Sequence, residues 1–107
     1  MFDALSSDFL NFESFNLASI PQTILALTNL QVIYLGKNLL KDIPPALGRL
    51  KRLNTLCLDY NQIQNVPDEI RTLSEIQVFD LSHNCLSTFP TVVLNMQKMK
   101  ELRLNSN

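Results

Sequence analysis

The chain has 107 residues, 46% of them apolar and 18% charged, with two glycines and five prolines, which allows one domain at most and enough apolar side chain to exclude a disordered polymer. Its formal net charge of −1 excludes a nucleic-acid-binding face, since phosphate binding needs clustered Lys and Arg. No apolar run approaches the roughly 20 residues that span a bilayer.

Self-alignment at a period of 23 organises the chain. Residues 1–26 read as a degenerate capping repeat, in which Leu10, Phe12, Leu17, Ile20, Pro21, Ile24 and Leu27 fall in register with the next copy. Phe15 stands where an Asn is expected and Ser7 where a Leu is expected. Phe2, Phe9, Phe12 and Phe15 are expected to close the hydrophobic end of the stack by bulk. The opening stretch MFDALSSDFLNFESF has no basic region and is interrupted by acids, so it does not read as a secretory signal. None of the eleven Asn residues lies in an Asn-x-Ser/Thr sequon, and a cytoplasmic chain is expected.

Three full copies come next without gaps: LTNLQVIYLGKNLLKDIPPALGR (27–49), LKRLNTLCLDYNQIQNVPDEIRT (50–72) and LSEIQVFDLSHNCLSTFPTVVLN (73–95). In each, the LxLxx segment alternates with period two, which predicts a short strand with its leucines inward. Asn38, Asn61, Asn84 and Asn107 stand at the bend after each strand, where a side-chain amide can satisfy backbone groups that turn away from the ladder. Ile43-Pro44, Val66-Pro67 and Phe89-Pro90 begin the return path. Proline there fixes φ and ends the extended segment, and a short helical turn is expected after it. The segment 96–107, MQKMKELRLNSN, is an incomplete copy with a strand but no return path. The chain is therefore expected to be the N-terminal part of a longer solenoid, with 96–107 its least securely ordered coil.

The pattern LxxLxxLxLxxNxLxxφPxxφ, φ being apolar, resembles the leucine-rich repeat family across essentially the whole chain. That resemblance implies an α/β solenoid: a right-handed coil with short parallel strands on its concave face and 3-10 or short helical turns on its convex face. The 23-residue form, with φP after the Asn and no glycine inserted before it, is similar to intracellular Ras-signalling scaffolds and Ras-suppressor repeats. IPPALGRL also resembles plant receptor ectodomains, which insert a residue here that this chain lacks.

With the Asn as reference, the residues between inward leucines form four outward columns. They run Phe9, Val32, Thr55, Val78, Glu101; then Asn11, Tyr34, Cys57, Asp80, Arg103; then Glu13, Gly36, Asp59, Ser82, Asn105; and Ser14, Lys37, Tyr60, His83, Ser106. A merely solvated sheet face would carry mostly Lys, Glu, Ser and Thr. Val32, Tyr34, Cys57, Val78, Tyr60 and His83 instead read as an apolar and aromatic patch rimmed by charge, the composition of a partner surface. Tyr34 and Tyr60 are the anchor candidates. Asp80 and Arg103 are expected to pair, while Lys37, Asp59 and Glu101 read as scattered charges that steer nothing strongly. Arg49, Lys51 and Arg52 read as a solvated edge.

Reactive chemistry is not expected. Cys57 and Cys85 lie in adjacent coils but about five strand positions apart, roughly 15 Å at 3.3 Å per residue, beyond a disulfide's reach. His83 is expected about 10 Å from Cys57, too far to act as its base. One His and two separated Cys make no zinc set, and Gly36 and Gly48 make no phosphate loop, so no catalytic residue and no cofactor is expected. The expected function is a non-catalytic scaffold that binds a protein partner on its concave face in intracellular signalling. The resemblance implies small GTPases, phosphatase catalytic subunits or junctional complexes as partners. Two alternatives stand beside it: a truncated fragment or short isoform with no autonomous function, and self-association through an open C-terminal edge.

Overall fold

Each copy of the repeat places one three-residue strand beside the last. In the computed structural model, which describes residues 8–107, the strands are β1 (Phe9–Asn11), β2 (Val32–Tyr34), β3 (Thr55–Cys57), β4 (Val78–Asp80) and β5 (Glu101–Arg103). The expectations for Phe2 and Ser7 lie outside the described residues. The strands pair in parallel in the order β1-β2-β3-β4-β5. Their register aligns Leu10, Ile33, Leu56, Phe79 and Leu102 as the central row. Period-two alternation turns that row inward, and Leu10, Ile33, Leu56 and Phe79 are fully buried. Parallel ladder bonds continue past the strands, with the amides of Leu35, Leu58 and Leu81 each donating to the next coil at 2.8 Å.

The return path is also a product of local chemistry. Pro21, Pro44, Pro67 and Pro90 hold φ between −60° and −76° just before a helical turn begins. Because proline has no amide to lose, an extended residue at this corner costs the ladder nothing. The turns are α1 (Gln22–Leu25) and the 3-10 helices η1 (Pro45–Arg49), η2 (Asp68–Thr72) and η3 (Thr91–Asn95). Each sends one or two apolar side chains to the core: Ile24, Leu47, Ile70, Val92 and Val93. Between η1 and η2 the packing is closer than a methyl group permits. A Cβ on Gly48 would meet the Glu69 carbonyl oxygen at 2.5 Å and Thr72 Oγ1 at 2.9 Å. The Thr72 hydroxyl donates to both the Gly48 and Glu69 carbonyls across this gap.

The core is one cluster that runs along the stack from Leu10 to Met96. Coils bury their leucines only against neighbours, so the end coils are necessarily less covered. Leu102 and Leu104 are half-buried where Leu56 and Leu58 are fully buried. At the other end the expected aromatic cap divides. Phe12 packs against the core, and Phe15 stacks on it at 4.9 Å between ring centroids while staying 54% exposed. Phe9 stands on the first strand. It lies in the row with Val32, and its ring meets Tyr34 edge-on at 5.5 Å on the outer side of the sheet.

The asparagines join coils rather than merely closing bends. Asn61 Oδ1 accepts from the Leu40 amide at 3.0 Å, and its Nδ2 donates to the carbonyls of Leu35, Leu58 and Asp59. Asn84 repeats the set one coil on, with Ile63, Leu58, Leu81 and Ser82. Asn107 repeats it again, with Leu86, Leu81, Leu104 and Asn105. Asn38 serves the worn first coil by accepting from both Phe15 and Leu17, which supplies the contact that Phe15 cannot make as a side chain. Each asparagine thus ties its own bend to the preceding one.

Candidate functional site

The outer face of the sheet is built by register. Phe9, Val32, Thr55, Val78 and Glu101 form one row, and Asn11, Tyr34, Cys57, Asp80 and Arg103 form the next. Val32, Tyr34, Thr55, Cys57 and Val78 are half-buried, and Glu101 and Arg103 are exposed. The strand pairing therefore brings together the first two columns read from the sequence.

The fourth column is not a continuation of the strands. Ser14, Lys37, Tyr60, His83 and Ser106 have φ of 62°, 55°, 56°, 56° and 60°. Such left-handed geometry costs a non-glycine residue about 1–2 kcal/mol, and here it lets each amide reach the next coil. Lys37 donates to Asp59, Tyr60 to Ser82 and His83 to Asn105, at 2.9–3.0 Å. The turn sets the Tyr60 and His83 rings face to face, with centroids 4.1 Å apart and planes 8° apart. Tyr60 remains 50% exposed. A strand-like reading of this column misses the turn, because no glycine marks it.

Asp80 is a lock more than an open contact. It is buried, and its Oδ1 accepts from the Ser82 amide at 2.9 Å and the Ser82 hydroxyl at 2.6 Å. Asn11 does the same job in the first coil by accepting from the Glu13 amide. The expected Asp80–Arg103 pair is present at 3.9 Å, longer than the 3.3 Å between Arg103 and Glu101. Both pairs leave the guanidinium largely in solvent, so neither contributes much stability.

Charge on this face is less scattered than the sequence indicates. Asp80 is the lateral neighbour of Cys57. Burial pushes the Cys57 thiol up from 9.0 to about 12, with the negative charges of Asp80, Asp59, Glu101 and Glu13 all adding to it. Burial also raises the Asp59 carboxyl, against its own backbone amide and Lys37, and with help from Asp80 and Glu13. Gly36 makes room for that carboxylate, since a Cβ there would meet Asp59 Oδ1 at 2.6 Å. Four acids therefore surround one thiol at the centre of the sheet.

Cys57 and Cys85 are both free thiols, one half-buried and one exposed. His83 is engaged with Tyr60, and no group of three or more metal-ligating side chains occurs among the described residues. With the thiol pushed up to about 12, the thiolate fraction of Cys57 at pH 8 is about a thousandfold lower than at the ordinary 9.0. At that pH, alkylation of Cys57 by iodoacetamide is expected to run at least about tenfold slower than that of exposed Cys85. The rate should climb as pH rises, and a time course read by peptide mass spectrometry checks both statements. Equal rates would show that burial and the neighbouring acids do not govern this position.

A leucine rich repeat family model matches the chain twice, over residues 10–63 and 51–107. The chain belongs to the leucine-rich repeat family. Its parallel sheet and short convex turns form a leucine-rich repeat solenoid. A leucine-rich repeat protein of Leptospira interrogans superposes with a TM-score of 0.91 at 29% identity, over 94% of this chain and 26% of that one. A chain of the BIR3–SERK2 complex from Arabidopsis thaliana superposes with a TM-score of 0.81 at 28% identity, over 92% of this chain and 55% of its own length. The PEPR1–AtPEP1 structure matches with a TM-score of 0.74 at 26% identity, over 94% of this chain and 14% of that one. No curated protein sequence matches the chain at a significant level. Leucine-rich repeat proteins are in general non-catalytic scaffolds for binding other proteins, and no helix among the described residues is long and apolar enough to cross a membrane.

Proposed function

We propose that this chain binds a protein partner on its concave sheet and performs no chemistry of its own. The observation that carries the reading is the pair of aromatic clusters on that face. Phe9 with its neighbour Tyr34, and His83, are half-buried, and Tyr60 is exposed, while the leucines beneath them are sealed. Large rigid rings with part of their surface in solvent are the groups on which binding energy concentrates. The acids around Cys57 give the partner's chemistry, because Glu13, Asp59 and Glu101 favour Arg or Lys side chains, which also stack on tyrosine faces. Val32, Thr55 and Val78 supply the flat apolar ground between the clusters, with Lys37 and Arg103 at its margins. Asp80 acts through the backbone it holds.

The BIR3–SERK2 complex, one chain of which superposes on this one, supports a binding role for this fold. A cytoplasmic signalling setting, with a small GTPase or a phosphatase subunit as partner, is the form of this reading that the repeat type favours. The test compares the native chain with a Tyr34→Ala/Tyr60→Ala variant in affinity for any partner so captured. Affinity is expected to fall at least about tenfold, whereas Leu94→Ala, on the 72% exposed convex side, should leave it unchanged. Equal affinity of the native and double-tyrosine chains would remove the concave face from the proposal.

A further inference from the structure

We infer that the junction of the second and third coils binds an acidic segment of another protein, at a corner of the molecule away from the concave sheet. Comparison between repeats isolates the corner. From the end of each convex turn the copies read Ala26-Leu27-Thr28-Asn29, Arg49-Leu50-Lys51-Arg52, Thr72-Leu73-Ser74-Glu75 and Asn95-Met96-Gln97-Lys98. The second position is core, with Leu50 and Leu73 fully buried. The other three point outward and are free of packing demands, and one junction alone fills them all with cations. Arg49, Lys51 and Arg52 are exposed, and they are three of the chain's nine Lys and Arg. Four consecutive residues span at most about 11 Å, close to the Debye length of about 8 Å at physiological salt. These charges therefore repel one another, and an anion feels them together.

The fold does not neutralise them. Among the described residues the ion pairs are those of Lys98 with Glu75 and of Arg103 with Asp80 and Glu101. Glu75 holds the place of Arg52 one coil on, yet both its oxygens accept from Lys98, at 2.9 and 3.1 Å. Arg49 and Lys51 line the groove between η1 and η2, where Glu69 stands without pairing to either. Arg49 also borders the groove between α1 and η1, beside Leu25, Ala26 and Ala46. Arg52 lies round the corner, with Gln31 and Asn54. Unpaired positive charge thus adjoins two grooves that meet at Ala46 and Arg49. Complementarity selects the occupant. The cations call for carboxylates, and the grooves admit apolar side chains from a segment narrow enough to enter them. An anionic lipid surface would use the charge alone, at about 1 kcal/mol per cation, and leave the grooves empty. Glu69 orients the segment, because a neutral or basic residue must face it while acids face Arg49, Lys51 and Arg52.

The test follows amide chemical shifts of the whole chain by NMR as three probes are added: a peptide of repeating Glu-Glu-Leu, a matched peptide of repeating Ser-Ser-Leu, and phosphatidylcholine vesicles with and without phosphatidylserine. The acidic peptide should shift the amides around Arg49, Lys51 and Arg52 with a dissociation constant below about 1 mM at low salt, and added salt should weaken it. Arg49→Glu/Lys51→Glu/Arg52→Glu should weaken binding at least about tenfold. Lys41→Glu/Lys100→Glu, which reverses two exposed cations elsewhere, should leave it within about threefold. Circular dichroism confirms that each variant is folded. The inference is overturned by an absence of shifts up to that concentration, by equal shifts from the serine peptide, or by binding that survives the triple reversal. Capture by phosphatidylserine vesicles in place of the peptide overturns it in favour of a lipid surface. Shifts at the corner that grow with the chain's own concentration overturn it in favour of a second copy.

Discussion

Asn61→Ala is expected to destabilise the fold by about 3 kcal/mol, a large part of what holds a chain of this length together. Asn61 is buried and makes four hydrogen bonds of 3.0–3.2 Å, but these are not equivalent. The Leu35 carbonyl also accepts from Asn38, the Leu58 carbonyl also accepts from Asn84, and the Asp59 carbonyl also accepts from the Lys37 amide. Those three acceptors keep a partner when Asn61 is truncated. The Leu40 amide does not, since Asn61 Oδ1 is its acceptor, and a buried unpaired amide costs about 1–3 kcal/mol. The lost donor bonds and the small void bring the sum to about 3 kcal/mol. Asn107→Ala removes the same pattern at the exposed end of the stack, where water can replace it, and should cost about 1 kcal/mol. Urea unfolding of both variants measures the contrast. Equal losses would mean that the ladder's depth in the stack does not matter.

The contrast between what the sequence shows and what it hides comes from the range of the interactions. A strand's inward row is dictated by period-two alternation, so Ile33, Leu56 and Phe79 are legible one residue at a time. The proline corner is legible for the same reason, because Pro44, Pro67 and Pro90 fix their own φ. The outward rows are determined once a period of 23 is known, and the register of Val32 with Thr55 and Tyr34 with Cys57 repeats it. What stays hidden is set by neighbours in other coils. Lys37, Tyr60 and His83 adopt left-handed backbone without glycine because the carbonyl awaiting each amide belongs to the next coil. Asp80 reads as an outward charge, yet Ser82 two residues on folds it under. Phe9 reads as an end cap, yet its ring lies edge-on against Tyr34, a contact with the next coil that its own stretch of sequence does not display. The acids around Cys57 come from Glu13, Asp59, Asp80 and Glu101, one from each of four coils, so no single stretch of sequence displays them together.

Phe79→Ala is expected to cost about 3–5 kcal/mol, the range for emptying a fully buried aromatic site, and the shape of the loss is as informative as its size. Phe79 is fully buried in the central row, between Leu56 of β3 and Leu102 of β5. Its row-mates are aliphatic, so this coil carries the largest side chain of the row and the deepest dependence on it. Phe79→Leu gives the site the same residue as Leu56 and should cost only about 1–1.5 kcal/mol, since most of the volume is kept. In a stack of coils, each held by nearest neighbours, a cavity at Phe79 weakens the β3–β4 and β4–β5 interfaces and leaves β1–β2 intact. The Phe79→Ala chain should therefore lose cooperativity, with the last two coils unfolding before the first three and a lower dependence of stability on urea. Amide exchange should lose protection at Leu81 and His83, which donate into β5's coil, while Leu35 and Lys37 keep theirs. Uniform loss of protection along the whole ladder would show instead that the five strands unfold as a single unit.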